Sequence, residues 1–71
     1  MQRISVVSSN LASVGYEPDS GTLEVQFRNG SVYRYAGVPA GVHSGLMNAA
    51  SKGGYLHTFV KEAGYPVVRV A

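Results

Sequence analysis

The chain has 71 residues, enough for one domain and too few for two. Apolar side chains make up 45% of it and charged ones only 14%, where about a quarter is usual, and this excludes a charge-rich disordered tail. Six Lys and Arg face four Asp and Glu for a net charge of +2; there is no cysteine for disulfides or thiolate metal sites, and no apolar run approaches the roughly 18 residues of a membrane span.

Met1-Gln2-Arg3 leads into Ile4-Ser5-Val6-Val7-Ser8-Ser9-Asn10. That stretch is too short and too polar for a secretory h-region, so a cytoplasmic location is the expectation. Its β-branched residues can add a terminal edge strand.

Leu11–Glu17 is predicted as the first clear strand, with Ala12, Val14 and Tyr16 on one face. Glu17-Pro18-Asp19-Ser20-Gly21 then carries strong turn chemistry. Thr22–Phe27 alternates polar and apolar without a break, the pattern of a strand with one buried face. A four-residue loop from Pro18 to Gly21 pairs Tyr16 with Leu23 and Val14 with Val25, and both apolar sets then face the same way.

Arg28-Asn29-Gly30 before Ser31-Val32-Tyr33-Arg34-Tyr35 is the best hairpin signal in the chain. Two registers are open. A two-residue Asn29-Gly30 turn points Tyr33 and Tyr35 outward. A three-residue loop, with Gly30 left-handed in a bulge, sets Tyr33 against Val25, Tyr35 against Leu23 and Glu24 against Arg34. The second is preferred, because it buries two rings and pairs opposite charges across the strands. The third strand is expected over Val32–Val38.

Pro39 or Ala40 opens a helix over about Ala40–Ala49, whose Val42, Leu46 and Ala49 share a face with Met47 alongside. Ser51-Lys52-Gly53-Gly54 is expected to break the chain. Tyr55–Lys61 reads as a second short helix, with Gly64 at its C-cap. Val67–Val70 is short and β-branched, and is a second candidate edge strand. The expected fold is therefore one α+β domain, residues 1–71. It has a three-stranded antiparallel meander, up to five strands with the terminal edges, and two short helices on one face.

The ordered series Ser8-Ser9-Asn10-Leu11-Ala12-Ser13-Val14-Gly15-Tyr16, Leu23–Phe27, Asn29-Gly30, Val32–Tyr35, Gly37-Val38-Pro39, Leu46–Ala49 and Ser51-Lys52-Gly53 resembles the KTSC domain. That small domain occurs at the C-terminus of some lysyl-tRNA synthetases and as a free-standing protein of bacteria and phages. The likeness runs from about Ser5 to Arg69. RNA binding is what the synthetase association implies.

Tyr33-Arg34-Tyr35 is a candidate stacking platform for bases, its plainer reading being two core rings. Lys52-Gly53-Gly54 offers bare backbone N–H groups beside an ammonium; its plainer reading is a helix–helix turn. His43 and His57, with Glu62 or Asp19, have no spacing that favours a metal, and solvent-facing histidines are the plainer reading. Ser8, Ser9 and Asn10 suit capping better than nucleophilic catalysis. No catalytic residue, metal site or cofactor motif emerges.

The expected function is a small non-catalytic module for RNA or single-stranded nucleic acid. Arg28, Arg34, Lys52, Lys61 and Arg69 would meet phosphates, with Gly53 and Gly54 beside them, and Tyr33, Tyr35 and Tyr55 would stack. The alternative is a protein-interaction module, or a phage accessory protein acting on a host protein, that uses exposed strand edges.

Overall fold

Two turns fix the centre of the sheet. In the computed structural model, which describes all 71 residues, β2 (Leu11–Glu17) and β3 (Thr22–Phe27) pair antiparallel. Tyr16 stands opposite Leu23 and Val14 opposite Val25. The four-residue loop closes through Gly21, whose N–H donates to the Glu17 carbonyl at 2.9 Å and whose φ is +68°. Beyond it, β4 (Val32–Tyr35) pairs with β3 in the three-residue register. Tyr33 faces Val25, Tyr35 faces Leu23 and Glu24 faces Arg34. Gly30 is left-handed at φ +92°, which allows its N–H to reach the Phe27 carbonyl at 2.9 Å.

Both termini add strands. β1 (Ile4–Ser5) lies on the free side of β2, and β5 (Val67–Arg69) on the free side of β4. The sheet is five-stranded and antiparallel, in chain order β1-β2-β3-β4-β5. The third strand ends at Tyr35 rather than Val38, because Gly37 turns the chain at φ +72° and Val38 instead donates to the Gly21 carbonyl at 2.8 Å.

A bulge at Ala12 corrects the expected face of β2. Leu11 pairs with Phe27 but Ser13 with Gln26, so one residue is left over. The extra residue turns Leu11 inward, and Leu11 rather than Ala12 is fully buried.

α1 spans Ala40–Asn48 with Pro39 at its N-cap, and Leu46 is its fully buried anchor. The second helix starts earlier than the sequence suggests. α2 spans Lys52–Leu56, and a π-helical turn continues it over His57–Lys61. Ser51 does not break the chain but caps it, accepting from the Gly54 N–H at 3.3 Å. Gly53 lets Asn10 pack against the helix start, since a Cβ would lie 2.7 Å from Asn10 Nδ2 and push that side chain aside. Leu46, Leu56 and Val60 from the helical half meet Leu11, Val14, Leu23, Val25, Tyr35 and Val38 in one core. Gly45 lets the helices close up, as a Cβ would come within 2.7 Å of Tyr55 Cζ.

His43 of α1 stacks on Tyr16 with ring centres 4.4 Å apart and planes 10° from parallel. The Tyr16 hydroxyl donates to the Val38 carbonyl at 2.5 Å. Burial holds the His43 imidazole below its usual 6.5. The unfolded chain therefore binds that proton more readily. Stability should be full above about pH 6.5 and fall as pH drops through the folded-state value. Thermal melts at about pH 7.5 and about pH 5.5 should separate for the native chain and converge for His43→Phe, which keeps the stack without the proton site.

Candidate nucleic-acid interface

The sheet has two unlike faces. On the face away from the helices, Glu24 is only 3% exposed yet charged. It accepts from Arg34 Nε at 2.6 Å and from Arg3 Nη1 on its other oxygen. Burial would raise the Glu24 pKa, but the hydrogen bonds and charges of Arg34 and Arg3 outweigh it and hold the carboxyl below its usual value. Arg3 Nε also donates to Ser13 Oγ at 3.0 Å, and Ser13 Oγ donates to Gln26 Oε1 at 2.8 Å. Arg34 thus belongs to a structural triad, away from the other candidate residues.

The helix side carries the remaining positive charge. A cleft of about 640 Å3 opens where the β3–β4 loop meets the second helix. Arg28 and Lys61 line it, with Gly53 and Gly54 forming a bare wall. Three residues that the sequence left outside the phosphate-binding set, Asn10, Asn29 and His57, line it too. His57 and Lys61, four residues apart at the two ends of the π-helical turn, both line it, and such turns are frequent at functional sites. Arg28 is anchored through Nε to the Ser8 carbonyl at 2.6 Å. Its terminal nitrogens make no other hydrogen bond within the chain.

The Tyr-x-Tyr motif does not form an outward platform. The three-residue loop sends both rings to the helix side, where Tyr35 is 4% exposed and Tyr33 half-buried. Burial, and secondarily Tyr33, pushes the Tyr35 phenol above its usual 10. Tyr33 meets Phe27 edge-on at 5.7 Å, and the Arg69 guanidinium carbon lies 6.0 Å from its ring centre. A smaller hollow of about 370 Å3 lies against Tyr33 and Tyr35. Lys52 is turned back to the Ala49 carbonyl at 3.3 Å, where it closes the end of α1. Tyr55 packs on Phe59 at 4.6 Å, away from the cleft.

Of the ten candidate residues, Arg28, Lys61, Gly53 and Gly54 share the cleft, while Tyr33, Tyr35 and Arg69 flank its neighbour. Arg34, Lys52 and Tyr55 lie elsewhere. Arg28, Lys61 and Arg69 make no ion pair, whereas Glu24 takes Arg3 and Arg34, and Glu62 stands 3.5 Å from His57. His43 and His57 sit on different helical segments, and no three His, Asp or Glu side chains come together as a metal site. No helix is long and apolar enough to cross a membrane.

This two-layer arrangement of a five-stranded meander and two short helices is a known one. The chain belongs to the KTSC domain family, whose model matches residues 7–65. A KTSC domain protein from Yersinia pestis, solved by crystallography, superposes with a TM-score of 0.91 at 39% identity over 99% of this chain and 97% of that one. An uncharacterized protein from Stutzerimonas stutzeri (strain A1501) is 39% identical over 70 residues, 99% of each chain. A lysine–tRNA ligase from Nostoc sp. (strain PCC 7120) is 50% identical over 46 residues, which are 65% of this chain and 8% of the ligase.

Proposed function

We propose that this small KTSC domain is a non-catalytic module that binds single-stranded RNA or DNA weakly on its helix side. The observation that carries the reading is the sorting of charge. Glu24 neutralises the opposite face and Glu17 and Asp19 sit at the β2–β3 turn, while Arg28, Lys61 and Arg69 have no acidic partner around Phe27 and Tyr33; Glu62 stands 3.5 Å from His57 beside the cleft. Cations interleaved with aromatic rings suit a strand whose phosphates and bases alternate. The similar segment in a lysine–tRNA ligase, an enzyme named for its tRNA substrate, supports the same reading.

The three cations on this side that have no acidic partner, Arg28, Lys61 and Arg69, set the expected affinity, with Arg28 and Arg69 each held by a backbone carbonyl through Nε. Neutralising about three phosphates gives a log–log salt slope near −2 for a single strand, so binding should weaken about 15-fold between about 50 and about 200 mM salt. An amide NMR titration with mixed-sequence single-stranded RNA should move Arg28, Gly53, Lys61 and Arg69 and leave Arg34 and Lys52 still. An unchanged spectrum at about millimolar RNA would sink the reading. The second reading, strand addition by a protein partner, is favoured by the β5 edge, where Val67, Val68 and Val70 are 49%, 60% and 43% exposed. Shifts confined to β5 on adding a partner protein would favour it.

A further inference from the structure

The cleft and the hollow are unlike in chemistry and share a wall. Phe27, Asn29 and Lys61 line both. On one side of that wall lie Arg28, His57 and bare glycine backbone; on the other lie Tyr33, Tyr35 and Val67. No carboxylate lines either space. A ligand that fills both must join an anion to a flat, largely apolar group through a short linker. That description fits a nucleotide.

Resting on the nucleic-acid reading, we propose that the two spaces together hold one nucleotide unit, its phosphate in the Arg28–Lys61 cleft and its base in the Tyr33 hollow. Tyr33 is positioned before any ligand arrives, because Phe27 braces it and its strand partner is Arg69. Lys61, at the junction, reaches the phosphate from the base side.

Asn29 has a role that its neighbours fix. Its Oδ1 accepts from the Ser31 N–H at 3.0 Å and from the Ser31 hydroxyl at 2.6 Å. The Ser31 N–H can only donate, so this atom must be the oxygen and the amide nitrogen must point away from the turn. Its two N–H groups meet no acceptor within the chain. Asn29 therefore presents donors at the shared wall, suited to a base carbonyl, a ring nitrogen or a ribose oxygen. It is the residue that would read the nucleotide rather than merely attract it.

The test uses the labelled full chain and four probes: adenosine 5′-monophosphate, adenosine, inorganic phosphate and the single-stranded RNA. The monophosphate should move amides of both spaces and bind about tenfold more tightly than either phosphate or adenosine. Asn29→Asp keeps the oxygen that Ser31 needs and removes the donors. It should weaken both the monophosphate and adenosine, the latter carrying no phosphate for the new charge to repel. Tyr33→Leu should reduce the monophosphate to the affinity of phosphate alone. If the monophosphate moves only the cleft, with the affinity of phosphate, while RNA still binds, the one-nucleotide arrangement is wrong and the nucleic-acid reading stands. If RNA also leaves the spectrum unchanged, both fall. With the arrangement upheld, RNA binding more tightly than the monophosphate marks a strand as the ligand; the reverse order marks a free nucleotide.

Discussion

Replacing Glu24 with alanine is expected to destabilise the domain by about 2–3 kcal/mol, just under the roughly 3–5 kcal/mol that breaking a fully buried ion pair costs. The carboxylate is nearly covered, with its side chain 4% exposed, but its partners are 31% and 49% exposed and can regain water. At about 4–8 °C per kcal/mol for a domain of this size, the melting temperature should fall by roughly 10–20 °C. The acid limb should change with it. Because the folded-state pKa lies below the usual 4.5, the contribution is complete above that pH and is lost as pH falls through the folded-state value. In Glu24→Gln this part of the pH dependence should vanish. Urea denaturation at a series of pH values below about 5 measures it. Equal slopes of stability against pH in native and variant chains would show that the triad does not hold the sheet.

A valine at Gly15 should cost about 1–3 kcal/mol, for a different reason. Gly15 lies beneath the N-terminal residues as they cross the open face of the sheet. A Cβ there would stand 2.7 Å from the Gln2 carbonyl oxygen and 3.1 Å from Arg3 Cγ. The first of these is backbone and cannot swing aside. The segment must lift, and Arg3 then loses Glu24 and Ser13 together. The two substitutions should therefore be coupled. Arg3→Ala should cost about 1–2 kcal/mol in the native chain and almost nothing in the Gly15→Val background. A double-mutant cycle measured by chemical denaturation checks this. Additive losses would mean that the N-terminal segment stays in place over a valine.

The sheet was largely readable because its signals are local. Alternation in Thr22–Phe27 and the Pro18–Gly21 turn fix the β2–β3 register within a few residues of chain, while Arg28-Asn29-Gly30 leaves two registers open and the burial of two rings with the Glu24–Arg34 pairing favours the observed one. The Ala12 bulge was not readable, since nothing in Leu11-Ala12-Ser13 marks an extra residue; the need of Leu11 for the core decides it. The start of the second helix was missed for a related reason. Gly53 and Gly54 look like breakers until Asn10, distant in sequence, presses against the position of Gly53.

The binding face was half readable. Arg28, Lys61 and Arg69 are basic, and charge alone nominates them. Arg34 looks equivalent in sequence, and only strand pairing reveals that Glu24 holds it. In the sequence His57 reads only as a weak metal candidate and Asn29 only as a turn residue; their places at the cleft follow from the packing of the second helix and from an Asx turn that occupies the Asn29 acceptor.

Because spatial order in the sheet repeats chain order, each strand finds its neighbour by closing one short loop, β4 and β5 excepted, where the helices intervene. Loop-closure entropy is then small at most steps, and such topologies fold fast. The last event should be the return of Val67–Arg69 to β4, after the rate-limiting step has formed the hairpins. In a stopped-flow refolding experiment, substitutions in the β2–β3 and β3–β4 hairpins should slow folding, while changes in β5 should mainly speed unfolding.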